Sequence, residues 1–323
     1  MRVLSGIQPS GALHVGNYFG AIRQYVALQH GNDAFYFVAD FHALTSVRDA
    51  KQLRGSVFDV LADLLALGLD PESATLFVQS DVPETTELAW LLSTVTPMGW
   101  LEKCVSYKDK VQQGLPAEHG LFAYPVLQAA DILLYDADVV PVGQDQKQHL
   151  EITRDIAERY NNTYGATFTL PKPYILDAVA VVPGLDNRKM SKSYANTIEI
   201  FDTPEAIRKK CKRLVTDSRR PEDPGDPATL DQFALFALLK LFAPDDQWAD
   251  VSRRYLQGGV GYGEIKGALG ELIVARFAVA RATRAELAAH PERVHEVRLA
   301  GAERARTVAR GVLNRAREAC GVG

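Results

Sequence analysis

Four short strand-like apolar runs in the first half of the chain, Val3–Ile7, Ala34–Asp40, Ala74–Gln79 and Val139–Gly143, are separated by longer stretches with helical spacing. That alternation constrains the fold more than any other feature. Apolar runs of this length suit strands covered on both faces, and the helical stretches between them supply the crossovers that parallel strands require. Pro71, just after the helical run Val57–Leu69, marks the end of one crossover before the third strand. Beyond about Pro183 the pattern becomes helix after helix, with breaks at Pro204, the Pro221–Pro227 turn cluster, Pro244, Gly258-Gly259 and Pro291. The expectation is an α/β domain with a parallel sheet, followed by a helical domain. Neither half shows an internal repeat or a low-complexity segment.

With 323 residues, 47% of them hydrophobic, the chain can build one large or two ordinary cores. Met1-Arg2-Val3-Leu4-Ser5-Gly6 lacks the basic flank and sustained apolar run of a signal peptide. No uncharged apolar stretch approaches the ~20 residues of a membrane span, so a cytoplasmic location without a membrane partner is expected. Cys104, Cys211 and Cys320 are isolated and odd in number, which leaves no neighbours for a disulfide framework, a zinc site or an iron–sulfur cluster. The net charge of −4 argues against a protein that coats nucleic acid, yet basic residues gather in two places. Arg208, Lys209, Lys210, Lys212, Arg213, Arg219 and Arg220 stand against Asp217 alone, and Arg304, Arg306, Arg310, Arg315 and Arg317 have no acid between them. Each run is either a solvated helix face or a surface for phosphates.

Two further segments carry nucleotide chemistry. Pro9-Ser10-Gly11-Ala12-Leu13-His14-Val15-Gly16-Asn17 lies at the first strand-to-helix turn, where phosphates meet free backbone N–H groups in open α/β sheets. Gly11 and Gly16 let the backbone approach a nucleotide closely. His14 is a donor for charge developing on an α-phosphate as pyrophosphate departs, and Gln8 offers an amide to a phosphate oxygen. Past the middle, Lys189-Met190-Ser191-Lys192-Ser193 puts two ammonium groups and two small hydroxyl donors on a loop suited to a pyrophosphate leaving group. Closing and reopening of that loop would gate turnover. Five specified residues arise by chance in a chain of this size with a probability on the order of 10⁻⁴, whereas His-x-Gly-x alone is common at helix starts.

In this order the two segments resemble the HIGH-like and KMSKS signatures of class I aminoacyl-tRNA synthetases, with His14, Val15, Gly16 and Asn17 in the HIGH slots. Nearly the whole chain is similar to the tryptophanyl-tRNA synthetase family, through Leu4–Gly11, Asp40–Thr45, Tyr107–Lys110, Tyr124–Tyr135, Val140–His149 and Val215–Ser218. The resemblance implies a Rossmann-like α/β activation domain over residues 1–186, with a dimer-contact insertion at about 90–127. It implies a helical anticodon-binding domain over residues 187–323 that includes the KMSKS loop, and leaves open whether the last helix packs back on the first domain. The implied reaction joins L-tryptophan to tRNA(Trp) through tryptophanyl-adenylate, with ATP as substrate alongside Mg2+, in a cytoplasmic homodimer without protein-bound zinc or iron–sulfur cluster.

The same resemblance assigns residues. His14, Lys110, Lys189 and Lys192 are expected to be catalytic, Lys110 as a mobile lysine that reaches the ATP phosphates. Gln8, Pro9, Ser10, Gly16, Asn17, Gly143, Gln144, Asp145, Val182, Lys189, Met190, Ser191, Lys192 and Ser193 are expected at ATP. Among these, Asp145 accepts from the ribose hydroxyls, Gly143 gives the backbone room to pass, and Val182 and Met190 lie near adenine through their backbone. Leu4, His42, Tyr124, Gln128, Asp131 and Gln146 are expected at tryptophan: Asp131 accepts the indole N–H with Gln128 able to share the task, His42 lies beside the ring, and Tyr124 and Gln146 meet the α-ammonium and carboxylate. Arg208, Lys209, Lys212 and Arg213 are expected at tRNA, and no protein metal ligand is expected.

Tyrosyl-tRNA synthetases are the rival reading. Tyr124-x3-Gln128-x2-Asp131 places three polar residues on one helix face at the spacing of a Tyr, Gln and Asp in tyrosine enzymes. Bacterial tryptophan enzymes usually carry Met where Gln128 stands. Leu4 points the other way, since it occupies the strand position where tyrosine enzymes place a Tyr to read the substrate hydroxyl. A buried phenol hydroxyl without partners costs roughly 1–3 kcal/mol, enough to erase selection against phenylalanine. A small-molecule adenylyltransferase with a related HxGx turn would have no use for the long helical second domain. A non-catalytic tRNA-binding paralogue would have no use for His14, Lys189, Lys192 and Asp145.

Overall fold

The computed structural model describes residues 1–104, 107, 118–141, 147–174 and 181–323. The chain forms two compact units, neither continuous in sequence. One combines residues 1–11, the described part of 24–178, and 290–323; the other combines 12–23 with the described part of 179–289. The His14 segment belongs with the KMSKS segment, and the last helix belongs with the sheet.

In the sheet-bearing unit, β1 (Arg2–Ile7), β2 (Asp33–Val38), β3 (Ala74–Val78), β4 (Val139–Pro141) and β5 (Lys172–Tyr174) lie in the order β3-β2-β1-β4-β5. Every pairing is parallel. β1 and β2 run in register from Arg2 opposite Asp33 to Ile7 opposite Val38. The strand order reverses between β1 and β4, and the crevice beyond the carboxyl ends at such a reversal is where open α/β sheets bind ligands. β3 is buried along its whole length and β2 along all but its first residue, as continuous apolar runs require. β5 has no counterpart in the sequence reading. Its three residues are exposed and include Pro173, which an edge strand tolerates because the missing N–H need not serve a further neighbour.

The core of this unit gathers Leu4, Phe35, Phe37, Phe77 and Tyr135 with Ile156 and Tyr160 from the helix Lys147–Tyr164. The helix Pro291–Cys320 completes it. Ala302, Ala305, Ala309, Val312 and Ala316, three and four residues apart, run in a stripe down its buried face beside Gly301 and Leu313. Small residues let the helix approach β3 so closely that a Cβ at Gly301 would overlap the backbone carbonyl of Leu76. Around the stripe, Arg298 grips Asp81 with two bonds of 2.6 and 2.8 Å, and Arg306 and Arg310 both reach the buried Glu84 at 2.9 and 3.0 Å. Arg304 donates to Pro71 O at 2.8 Å, and Arg315 to Asp136 at 2.7 Å. The acid-free arginine run is thus matched by acids and carbonyls from elsewhere in its own unit.

In the other unit, residues 13–15 pair with 198–200: Val15 N–H donates to Ile198 O at 2.9 Å and Ile200 N–H to Leu13 O at 3.0 Å. Helices Pro204–Lys212, Ala234–Phe242, Asp245–Gln257 and Tyr262–Arg276 follow. Two starts are local chemistry. Thr203 Oγ1 accepts from Ala206 N–H at 3.2 Å ahead of Pro204, and Asp226 Oδ1 accepts from Ala228 N–H at 2.9 Å ahead of Pro227. Edge-to-face pairs Tyr18–Phe277 and Phe19–Phe242, 5.0 and 5.1 Å between centroids, fasten the His14 segment to these helices. Among the described residues no helix is long and apolar enough to cross a membrane.

Candidate active site

In the sheet-bearing unit, Asp131 lies on the helix His119–Leu133 and is 3% exposed. A carboxylate so placed needs partners. Gln79 Nε2 donates to both of its oxygens at 2.8 Å, and His42 Nε2 lies 2.9 Å from Oδ2. Gln79 is fully buried in the turn Gln79–Asp81 that ends β3, and its Oε1 accepts from Phe41 N–H at 3.0 Å. The backbone bond settles which end of the amide faces Asp131. His42 comes from the turn Asp40–Ala43 after β2. Burial pushes the Asp131 carboxyl up, and the hydrogen bonds from His42 and Gln79 oppose that rise.

Tyr124 stands on the same helix as Asp131. Its Oη lies 2.8 Å from His149 Nε2, and its ring meets that of His42 edge-on at 6.1 Å. Gln128 is half-buried on this helix, and Leu4 is buried in the middle of β1. Of the residues expected at tryptophan, the structure thus gathers His42, Tyr124 and Asp131; Gln146 lies outside the described residues. Lys110, Gly143, Gln144 and Asp145 also lie outside them. Gln79 escaped the sequence reading. The available signal was its position, a polar residue closing an apolar strand at the carboxyl end of the sheet.

Gln8, Pro9 and Ser10 follow β1 directly, with Gln8 and Ser10 exposed and Pro9 buried. In the other unit, His14 caps the short helix Val15–Asn17. Its Nδ1 accepts from Asn17 N–H at 3.3 Å, and its own N–H donates to Asn17 Oδ1 at 3.0 Å. An accepting Nδ1 leaves the ring proton on Nε2. Burial and then the Lys192 ammonium pull the imidazole down to about 4, so near neutral pH it is an uncharged N–H donor. Gly16 leaves room for the imidazole: a Cβ would come within 2.9 Å of His14 Nδ1 and 3.4 Å of Met190 Cβ, so a side chain there would push the ring from its place. The two signatures therefore meet within one unit. Met190 is buried, its N–H donates to Val182 O at 2.9 Å, and Lys189 bridges Pro183. Lys189 and Ser193 are exposed; Ser193 N–H donates to Ser191 Oγ at 3.3 Å at the start of the turn Lys192–Tyr194. Among the described residues no cluster of His, Cys, Asp or Glu could hold a metal ion.

The basic cluster divides on inspection. Arg208 forms a two-pronged bond with Glu271 at 2.7 and 3.0 Å, and Lys210 pairs with Asp202 at 2.6 Å and with Glu199. Arg219 turns inward, donating to Arg220 O at 2.8 Å with its guanidinium 4.6 Å from the Tyr255 ring. Lys209, Lys212 and Arg213 are exposed.

The family described as tRNA synthetases class I (W and Y) matches residues 1–278. A tryptophan–tRNA ligase of Rhodopirellula baltica is 55% identical over 322 residues, covering 100% of both chains. One from Campylobacter jejuni is 48% identical over 322 residues, again covering 100% of both. The crystal structure of tryptophanyl-tRNA synthetase from Campylobacter jejuni complexed with ADP and tryptophan superposes with a TM-score of 0.94 at 48% identity, over 100% of each chain. A tyrosyl-tRNA synthetase from Archaeoglobus fulgidus shares the fold at a TM-score of 0.64 and 19% identity, over 88% of this chain and 90% of that one. The chain belongs to the class I tRNA synthetases of the W and Y group and, within it, to the tryptophanyl-tRNA synthetases.

Proposed function

We propose that this chain is a tryptophan–tRNA ligase that makes tryptophanyl-adenylate and pyrophosphate from L-tryptophan and ATP, then passes the acyl group to the terminal ribose of tRNA(Trp). The observation that carries the reading is the match along 100% of each chain, at 48% identity, to a synthetase complexed with ADP and tryptophan. Leu4 argues against tyrosine, since an apolar side chain offers no partner to a phenol hydroxyl.

In the first step the substrate carboxylate attacks the α-phosphorus and pyrophosphate leaves. The Nε2–H of a neutral His14 donates to the α-phosphate oxygen that gains charge, and the ammonium groups of Lys189, Lys192 and Lys110 take up charge on the departing pyrophosphate. Mg2+ travels with ATP, held by phosphates and water. Gln8, Ser10, Asn17, Gly143, Gln144, Asp145 and the backbones of Val182 and Met190 hold the nucleotide. Asp131, kept in place by Gln79 and His42, accepts the indole N–H, while Tyr124 and Gln146 meet the α-ammonium and carboxylate. In the second step a terminal ribose hydroxyl attacks the acyl carbon and AMP leaves. The exposed Lys209, Lys212 and Arg213 serve the tRNA backbone more directly than Arg208, which Glu271 already engages. The enzyme works in the cytoplasm as a homodimer joined through residues of the 90–127 segment, with residues 187–323 reading the anticodon.

ATP–pyrophosphate exchange with each of the twenty amino acids tests this. Exchange with tryptophan alone supports it. Exchange with tyrosine would mean that Tyr124, Gln128 and Asp131 outrank Leu4, and no exchange at all would overturn the ligase reading.

A further inference from the structure

We propose that Asn196 is a positioning residue for the Lys189–Ser193 loop, its side-chain amide setting where Lys189 and Ser191 stand when ATP is activated. The inference rests on the ligase reading above. Asn196 lies three residues beyond the signature and is 2% exposed. A buried amide needs acceptors for its N–H groups and a donor for its oxygen, and this one finds them in and beside the loop. Its Oδ1 accepts from Ser191 N–H at 2.8 Å, and its Nδ2 donates to Lys189 O at 3.1 Å and to Asp186 Oδ1 at 2.6 Å.

The two backbone groups that flank Met190 therefore close on a single side chain, much as they would on a neighbouring strand. The opposite edge is taken as well, because Met190 N–H donates to Val182 O at 2.9 Å. Asn196 is itself tethered, its carbonyl accepting from Leu185 N–H at 2.9 Å. Lys189 and Met190 are thus gripped from both sides, and one grip is a side chain that substitution can remove without breaking the backbone. The fit admits little else. A Cβ at Gly184 would overlap the Asn196 amide, so a longer glutamine has no room. Aspartate could still accept from Ser191 but would set a second anion against Asp186 and the Lys189 carbonyl. The Asp186 carboxyl, held at about 2 chiefly by the Asn196 amide, is already committed to that bond.

The test is ATP–pyrophosphate exchange on the full chain, with ATP and tryptophan dependence measured separately and tryptophan affinity measured by equilibrium dialysis. Asn196→Ala and Asn196→Asp are each expected to lower kcat/KM for ATP about tenfold, with the tryptophan dissociation constant within about twofold of the unmodified chain. Asp186→Asn combined with Asn196→Asp places the amide on the other side of the same bond and is expected to recover part of what Asn196→Asp loses. A residue that only holds the fold would lose both substrates equally. Unchanged exchange, equal losses for ATP and tryptophan, or no recovery in the reversed pair overturns the proposal. If Asn196→Ala does not fold, the comparison of Asn196→Asp with the reversed pair decides alone. No exchange in the unmodified chain overturns the ligase reading, and this inference with it.

Discussion

His42 Nε2 stands 2.9 Å from Asp131 Oδ2, and both side chains are nearly closed to water, at 8% and 4% exposure. With Gln79 donating to the same carboxylate, Asp131 is an acceptor whose direction is set before any substrate arrives.

Loss of that direction is expected to fall on tryptophan rather than on ATP. Gln79→Leu removes the amide that holds both oxygens, and Asp131→Asn removes the charge. Each should raise the tryptophan KM about tenfold, the scale of a hydrogen bond to a charged group, with the ATP KM little changed. Exchange kinetics varied in each substrate check this, and equal losses would indicate a folding defect.

The depressed His14 pKa sets a pH dependence of stability. Unfolded, the imidazole titrates at 6.5; folded, at about 4. Between those values the unfolded chain binds a proton that the folded chain does not, so stability present above 6.5 is lost as pH falls toward 4. Urea unfolding of the unmodified chain should therefore weaken more between pH 7.5 and pH 5 than that of His14→Gln, in which the titrating group is gone. Parallel curves would place the ring in water.

Gly301→Ala should be costly despite its size. The added methyl meets the Leu76 carbonyl, a backbone atom of β3 that cannot rotate away. Overpacking of this kind costs about 1–3 kcal/mol, which a shift in the urea midpoint would show. Gly311→Ala, on the same helix with open space at its Cβ, is the control and should be neutral or slightly stabilising.

Binding of tRNA should weaken with salt, and the residues should contribute unequally. Each phosphate contact adds about 0.7–0.9 to the logarithmic salt slope. Lys209→Ala, Lys212→Ala and Arg213→Ala are expected to reduce that slope, whereas Arg208→Ala, whose charge Glu271 already neutralises, should leave it nearly unchanged. Filter binding between 50 and 200 mM salt measures this; no salt dependence at all would remove the cluster from the docking surface.

What could be read from the chain beforehand follows a physical division. β1 to β4 were legible because a strand buried on both faces needs a continuous apolar run, a local property. β5 was not, because Lys172-Pro173-Tyr174 forms by position at the sheet edge rather than by propensity. The resemblance pointed to Asp131 and His42, which the structure brings within 2.9 Å of each other, and not to Gln79, whose place lies in a bond across 52 residues. The arginines at 304–317 offered two readings of equal standing. Only the tertiary placement of Glu84, Asp136 and the Pro71 carbonyl shows that Arg306, Arg310, Arg315 and Arg304 fasten a helix.

The returning terminal helix also orders events at the ribosome. Arg298 finds Asp81 across 217 residues, so the sheet leaves the exit tunnel long before its cover exists. Through that interval the side of β3 that Gly301 will approach lacks the cover of this helix. Completion of the sheet-bearing unit thus waits on residues 291–320, and a chain stalled short of residue 291 carries an open apolar sheet face that quality control can recognise.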